Sequence, residues 1–211
     1  MILRLATVCG VSPRMRFDLM VNTMTACAEV QRAVRVMGAG LWRPHIHVRD
    51  AAEVKRAVRQ PITFCENYVP WTYKLQPLAE VLDFIAVHTY PAWEYQSIHD
   101  ALEYTKQNYY SVVEHYPGKP VVITEAGWTT AANGRGIEPH NASEELQASY
   151  YEQLVEWTSA AAILAFVFEA FDEPWKGSPD PLEPEKHWGL FNVDRTPKLA
   201  VRNLYPELVR P

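Results

Sequence analysis

After residue 60 the chain alternates between two textures. Short apolar, β-branched blocks run without a polar break, and between them lie longer stretches with apolar residues at helical spacing. The blocks predict buried parallel strands over 62–65, 84–87, 121–123 and 163–168. The stretches between them predict helices over 74–81, 97–115, 141–161 and 197–205, with one more over 50–59 ahead of the first block. Ser97 with Asp100 and Asn141 with Glu144 have the spacing of helix-capping pairs. The segment with Pro70 and Trp71 and the Pro-rich stretch 174–189 predict loops. Ahead of residue 50 the pattern is weaker: 1–9 suits a strand, 15–36 carries faint helical periodicity, and 37–47 suits a loop.

Strand blocks alternating with helices imply a parallel sheet, hence an α/β fold. Each block here also stops at residues able to do chemistry: Glu66 and Asn67; His88 and Tyr90; Thr124 and Glu125; Glu169, Asp172 and Glu173. Polar residues gathered at the C-terminal tips of parallel strands are the mark of a (β/α)8 TIM-barrel catalytic face. A doubly wound open sheet is the alternative, but no Gly-rich phosphate loop follows any block. A whole barrel takes about 250 residues. Residues 61–211 hold four strand blocks, and the residues before them are too few for four more units. The expectation is the C-terminal half of a barrel over residues 51–211, preceded by a poorly matched segment over 1–50. Such a half-barrel exposes strand edges through which copies are expected to associate.

Composition narrows the partners. A formal net charge of −5 leaves no basic surface for nucleic acid or an anionic membrane. No apolar run is long enough to span a bilayer, and the first residues hold no proper signal-peptide core, so the compartment stays unknown. The three cysteines, Cys9, Cys27 and Cys65, have no paired spacing, which argues for buried thiols over a disulfide framework or zinc site. No cofactor or metal is expected. Seven Trp and eleven Tyr are more aromatic surface than such a core needs, and aromatic faces stack on the C–H faces of sugars.

Four motifs in order make the chain recognisable: Phe84-Ile-Ala-Val-His-Thr-Tyr-Pro91, Val122-Ile-Thr-Glu-Ala-Gly-Trp128, Phe171-Asp-Glu-Pro-Trp-Lys176 and Glu185-Lys-His-Trp-Gly-Leu-Phe191. Over about residues 50–205 the chain resembles glycoside hydrolase family 17, which holds β-1,3-glucanases and related transglycosylases. The resemblance implies a (β/α)8 barrel, a β-glucan partner and a retaining mechanism with two glutamates. Glu125 matches the nucleophile, and Tyr90 is expected to hydrogen-bond and orient it. Glu173, Lys176 and Glu185 match a further group around the active site, where a lysine helps keep a nearby carboxylate charged. Glu66, Asn67, His88 and Glu169 are expected to bind sugar hydroxyls. Trp93, Trp128, Trp175 and Trp188 are candidate stacking platforms, with at least one expected in the core.

The departure from the family is equally specific. Its acid/base glutamate belongs to an Asn-Glu pair at the end of the fourth strand, and no Asn-Glu dipeptide occurs in this chain. Glu29 lies at about the right distance upstream, but within the stretch of helical periodicity and without the asparagine. The reading is a β-1,3-glucan hydrolase impaired at its acid, with a non-catalytic glucan-binding fragment as the alternative.

Overall fold

The structure is a computed structural model that describes residues 7–9 and 45–209. Contacts divide the chain into two compact units.

The first unit comprises residues 1–64 and 73–83. Its described part holds β1 (Thr7–Cys9), β2 (His45–His47), helix α1 (Val48–Ala57) and the short helix α3 (Gln76–Val81). β1 and β2 are parallel, with Thr7 opposite His45 and Cys9 opposite His47. A strand at 45–47 corrects the loop expected there. Its three residues, His-Ile-His, form no apolar block, and it is paired by β1, a partner far away in sequence. Asp83 closes the unit: its Oδ2 accepts from the Ile62 amide at 2.7 Å, its amide donates to the Ile62 carbonyl, and Lys55 pairs with its Oδ1.

The second unit, residues 65–72 and 84–211, is built on a four-stranded parallel sheet. Its strands are β3 (Cys65–Asn67), β4 (Ile85–Thr89), β5 (Val121–Ala126) and β6 (Ala165–Val167), adjacent in chain order. α4 (Ile98–His115) and α5 (Glu144–Ala160) return the chain between strands, and α6 (Leu199–Leu204) packs on α5. The core is the inner face of these elements: Ile85, Val87 and Ile123 from the sheet, Val112 from α4, and Tyr150, Tyr151 and Leu154 from α5, all within 1% of full burial. A parallel sheet with helical crossovers is the layout predicted from the apolar blocks.

Three local expectations change. β3 covers 65–67, so the polar Glu66 and Asn67 are ladder residues of the strand and not a stop beyond it. Residues 68–73, expected as a loop, form helix α2 (Tyr68–Tyr73). Pro70 sits in its first turn, where the absent N–H is no loss, and Trp71 is fully buried with its indole N–H donated to the Ala86 carbonyl. The cap of α5 is Ser143, whose Oγ accepts from the Leu146 amide, while the Asn141 amide group donates to the Gln96 carbonyl and ties two loops together. Cys65 is exposed, as the first residue of an edge strand, and not buried; the side chains of Cys9 and Cys27 lie outside the described residues.

Candidate active site

Glu125 owes its place to an irregularity in the sheet. β4 and β5 pair in step from Ile85 opposite Val121 to Val87 opposite Ile123. The register then shifts, so that His88 faces Glu125 and Thr89 faces Ala126. Thr124 is the extra residue. Without that bulge Thr124 would oppose His88; with it, Glu125 and His88 stand side by side at the strand tips, where bulges often re-aim a side chain. Asn67 of β3 lies opposite His88 on the other side. One row across three strands therefore reads Asn67, His88, Glu125.

Two groups converge on one oxygen of Glu125. The Tyr90 hydroxyl donates to Oε2 at 2.5 Å, and His88 Nδ1 lies 3.3 Å from the same atom. Burial first, and then the Glu125 charge, push the Tyr90 phenol far above its ordinary pKa, so it remains a donor at any working pH. The Tyr90 ring packs edge-on against Trp188 and Phe168, which also touch each other, with centroids at 5.3 Å and 5.7 Å. This packing and the burial of the ring help hold its hydroxyl at Glu125.

The second polar group lies on the loop after β6. Lys176 Nζ donates to Glu169 Oε2 at 2.7 Å, pairs with Glu173, and sits 4.6 Å from the Phe168 ring centre. Burial opposes the Lys176 charge, but its two carboxylate partners outweigh burial and hold its pKa above the ordinary value. Burial raises the Glu169 pKa against the pull of Lys176. Burial also raises Glu185, with Lys176 pulling it down and Glu183 and Glu125 pushing it up. Glu185 thus feels both Lys176 and Glu125.

Several expected positions prove different in kind. Trp128 and Trp188 are buried to within 1%. Trp128 donates its indole N–H to the Asn141 carbonyl, and Trp188 packs under Tyr90 and Trp93. Neither offers a ring face to a sugar, which corrects their reading as stacking platforms. Trp93 stays half-buried and Trp175 is 73% exposed, so those two keep an accessible face. Glu66 Oε1 accepts from the Asn67 amide next to it, and Asn67 Oδ1 accepts from the Val69 amide at the start of α2. Glu29 lies outside the described residues.

The structure also reveals a support that the motifs did not single out. Lys198, 1% exposed, donates to Asp172 Oδ1 at 2.7 Å, to Thr130 Oγ1 and to the His187 carbonyl. Asp172 Oδ1 also accepts from the Gly189 amide, and His187 Nδ1 lies 3.8 Å from Asp172 Oδ2. Burial raises Asp172, but His187, Lys198 and Gly189 together win and hold its carboxyl below the ordinary value. This cluster pins both ends of the loop that carries Glu173, Lys176 and Glu185. Asp172 lies within the Phe171–Lys176 motif, but nothing in the sequence around Lys198 marks a buried cation. Among the described residues, no cluster of three or more His, Cys, Asp or Glu is arranged to hold a metal ion.

Residues 45–189 match the family described as the BtgE/BtgC glycoside hydrolase domain. The chain belongs to this family. The BtgE/BtgC-type domain is similar to a glucan 1,3-beta-glucosidase of Arthroderma benhamiae, 38% identical over 82 residues that make up 37% of this chain and 26% of that protein. Among solved structures it resembles a glycoside hydrolase family 17 beta-1,3-glucanosyltransferase from Rhizomucor miehei, at 28% identity and a TM-score of 0.62, covering 72% of this chain and 55% of that one. An endo-laminarinase from Formosa shares the fold, with a TM-score of 0.67 at 24% identity over 90% of this chain and 62% of that one. The chain spans about a quarter to a third of the length of the curated relatives it matches. The family 17 resemblance carried by the four motifs holds, and the parallel α/β sheet is of the TIM-barrel glycoside hydrolase type.

Proposed function

We propose that this chain is a retaining glycoside hydrolase acting on β-1,3-glucan, with Glu125 as nucleophile. The observation that carries the reading is the asymmetric environment of one carboxylate at a strand tip. Tyr90 and His88 both engage Oε2 of Glu125, which leaves Oε1 to attack the anomeric carbon. A retaining glycosidase needs such an oriented carboxylate, and forms a covalent glycosyl–enzyme ester that water then hydrolyses. In that ester Oε1 is the bonded oxygen and Oε2 the carbonyl oxygen. The two groups on Oε2 then stabilise the charge that returns to it as the ester breaks. The substrate class follows the relatives, which are named as β-1,3-glucan enzymes. Lys176, with Glu169, Glu173 and Glu185, supplies a charged wall for sugar hydroxyls, and Trp93 and Trp175 supply accessible aromatic faces.

The acid that protonates the departing sugar is the step this chain supports least, because it holds no Asn-Glu dipeptide. That observation favours a second reading, a glucan-binding domain with little turnover. One experiment separates the two. A 2-fluoro-glucoside with an activated leaving group needs no acid and should label the peptide holding Glu125. Labelling at Glu173 or elsewhere overturns the assignment; glucan binding with no label anywhere supports the binding domain.

A further inference from the structure

We infer that His88 is a positioning residue for Glu125, holding its ring in the neutral tautomer with the proton on Nδ1 and directing that N–H at Oε2 alongside the Tyr90 hydroxyl. The inference deepens the proposed nucleophile and rests on that reading. Its first support is the backbone. The register shift between Val87 and His88 is what sets His88 opposite Glu125 and puts Nδ1 3.3 Å from Oε2. In uninterrupted register that place would fall to Thr124. Its second support is the other ring nitrogen. Nε2 is buried and has no hydrogen-bond partner among the described residues. A proton there would be an orphaned buried donor, whereas an unfilled lone pair is the more tolerable vacancy. With the proton on Nδ1, the ring has its donor facing a carboxylate and only an acceptor left over. The charged groups acting on the ring are Glu125 from β5 and Glu66 from β3. Both favour its protonation, and burial outweighs them to hold its pKa below the ordinary value. A neutral ring suits the role: it orients the carboxylate by a hydrogen bond without neutralising it as a full cation would. At 3.3 Å the contact is loose, as catalytic hydrogen bonds often are before substrate arrives.

Nitrogen NMR of the chain labelled with 15N-histidine tests this directly. The expected result is an Nδ1–H tautomer for His88 at pH 7, with the Nδ1–H signal shifting in Glu125→Ala as its carboxylate acceptor is lost. An Nε2–H tautomer in the unaltered chain, or a spectrum indifferent to Glu125→Ala, overturns the inference, and neither result requires any activity. The kinetic counterpart is the rate of covalent labelling by the activated 2-fluoro-glucoside. It is expected to fall about tenfold or more in His88→Ala through the bond-forming step, with little change in half-saturating concentration, and to recover in His88→Asn, whose amide can donate from a similar place. An Ala variant that labels at the unaltered rate overturns the inference. A chain that labels nowhere defeats the proposed nucleophile instead, and the tautomer measurement still decides the place of His88.

Discussion

Tyr90 is the side chain whose role can be isolated most cleanly. Its hydroxyl is 2.5 Å from Glu125 Oε2, its ring is fixed by Trp188 and Phe168, and burial keeps the phenol protonated. Tyr90→Phe keeps the ring packing and removes one hydrogen bond to a charged group, a bond worth about 1.5–3 kcal/mol. The expected outcome is a fall in the rate of covalent labelling of roughly 10- to 100-fold, with thermal stability little changed. Because the phenol titrates far above neutrality, the basic side of the pH profile should be the same in both proteins; a shift there would mean that Tyr90 acts as an acid. Glu125 and Tyr90 were legible in the sequence because each follows an apolar block at a strand tip. Trp128 and Trp188 are the core members expected among the four candidate indoles, and the sequence could not say which of the four face inward. Trp128 follows Gly127, where an added Cβ would come within 2.4 Å of the Phe168 carbonyl, so the backbone there is packed and turned inward.

The element that governs the rest of the site is the segment between β6 and α6. It has almost no regular structure, and buried polar groups replace a ladder. Asp172 is its knot, with Lys198 and the Gly189 amide on one oxygen and His187 near the other. The Asp172 carboxylate, 3.8 Å from its ring, raises the His187 pKa, and His187, Lys198 and the Gly189 amide together lower that of Asp172. The signs give a window. The His187 contribution is complete below its unfolded value of about 6.5 and is lost as pH rises through its raised folded value. The Asp172 contribution is lost as pH falls through its lowered folded value. His187→Gln should therefore cost most stability between about pH 5 and 6 and progressively less above neutrality, read as the difference in melting temperature across a pH series. A difference that grows with pH would reverse the assignment. β4 and β5 were legible as strands because burial leaves a near-continuous apolar run; β6 forms from the block at 163–168 but is not the buried strand expected there, since Phe166 and Val167 stay exposed. β2, β3 and α2 were not, because a three-residue strand with polar members is defined by its ladder partner, and α2 by the pocket that takes Trp71.

For the whole molecule, two consequences follow from the sheet and from the missing dipeptide. Among the described residues β6 pairs with β5 alone, and Leu164, Phe166 and Val167 are 58%, 53% and 37% exposed. An apolar strand edge of this kind seeks another strand. The chain should sediment as more than a monomer, and Phe166→Lys should shift it toward the monomer; a monomer at all concentrations removes the idea. The second consequence concerns turnover. Glycosidic cleavage needs a nucleophile at the anomeric carbon and a proton on the departing oxygen. Glucan departs as a sugar hydroxyl, a poor leaving group, so lack of a positioned acid should cost on the order of 10²–10⁴-fold. A dinitrophenyl group leaves without a proton and should lose much less. The 211-residue chain is therefore expected to cleave β-1,3-glucan poorly while still reaching the covalent stage with a dinitrophenyl glycoside, and azide, which needs no general base, should speed release of the glycosyl group. The deciding quantity is the ratio of the two rates before and after Glu29→Ala. If Glu29 has no part in the chemistry, the ratio stays put. If polymer cleavage is strong and collapses in Glu29→Ala while the dinitrophenyl rate holds, the acid was carried by that upstream stretch all along, and the expectation of an impaired enzyme falls.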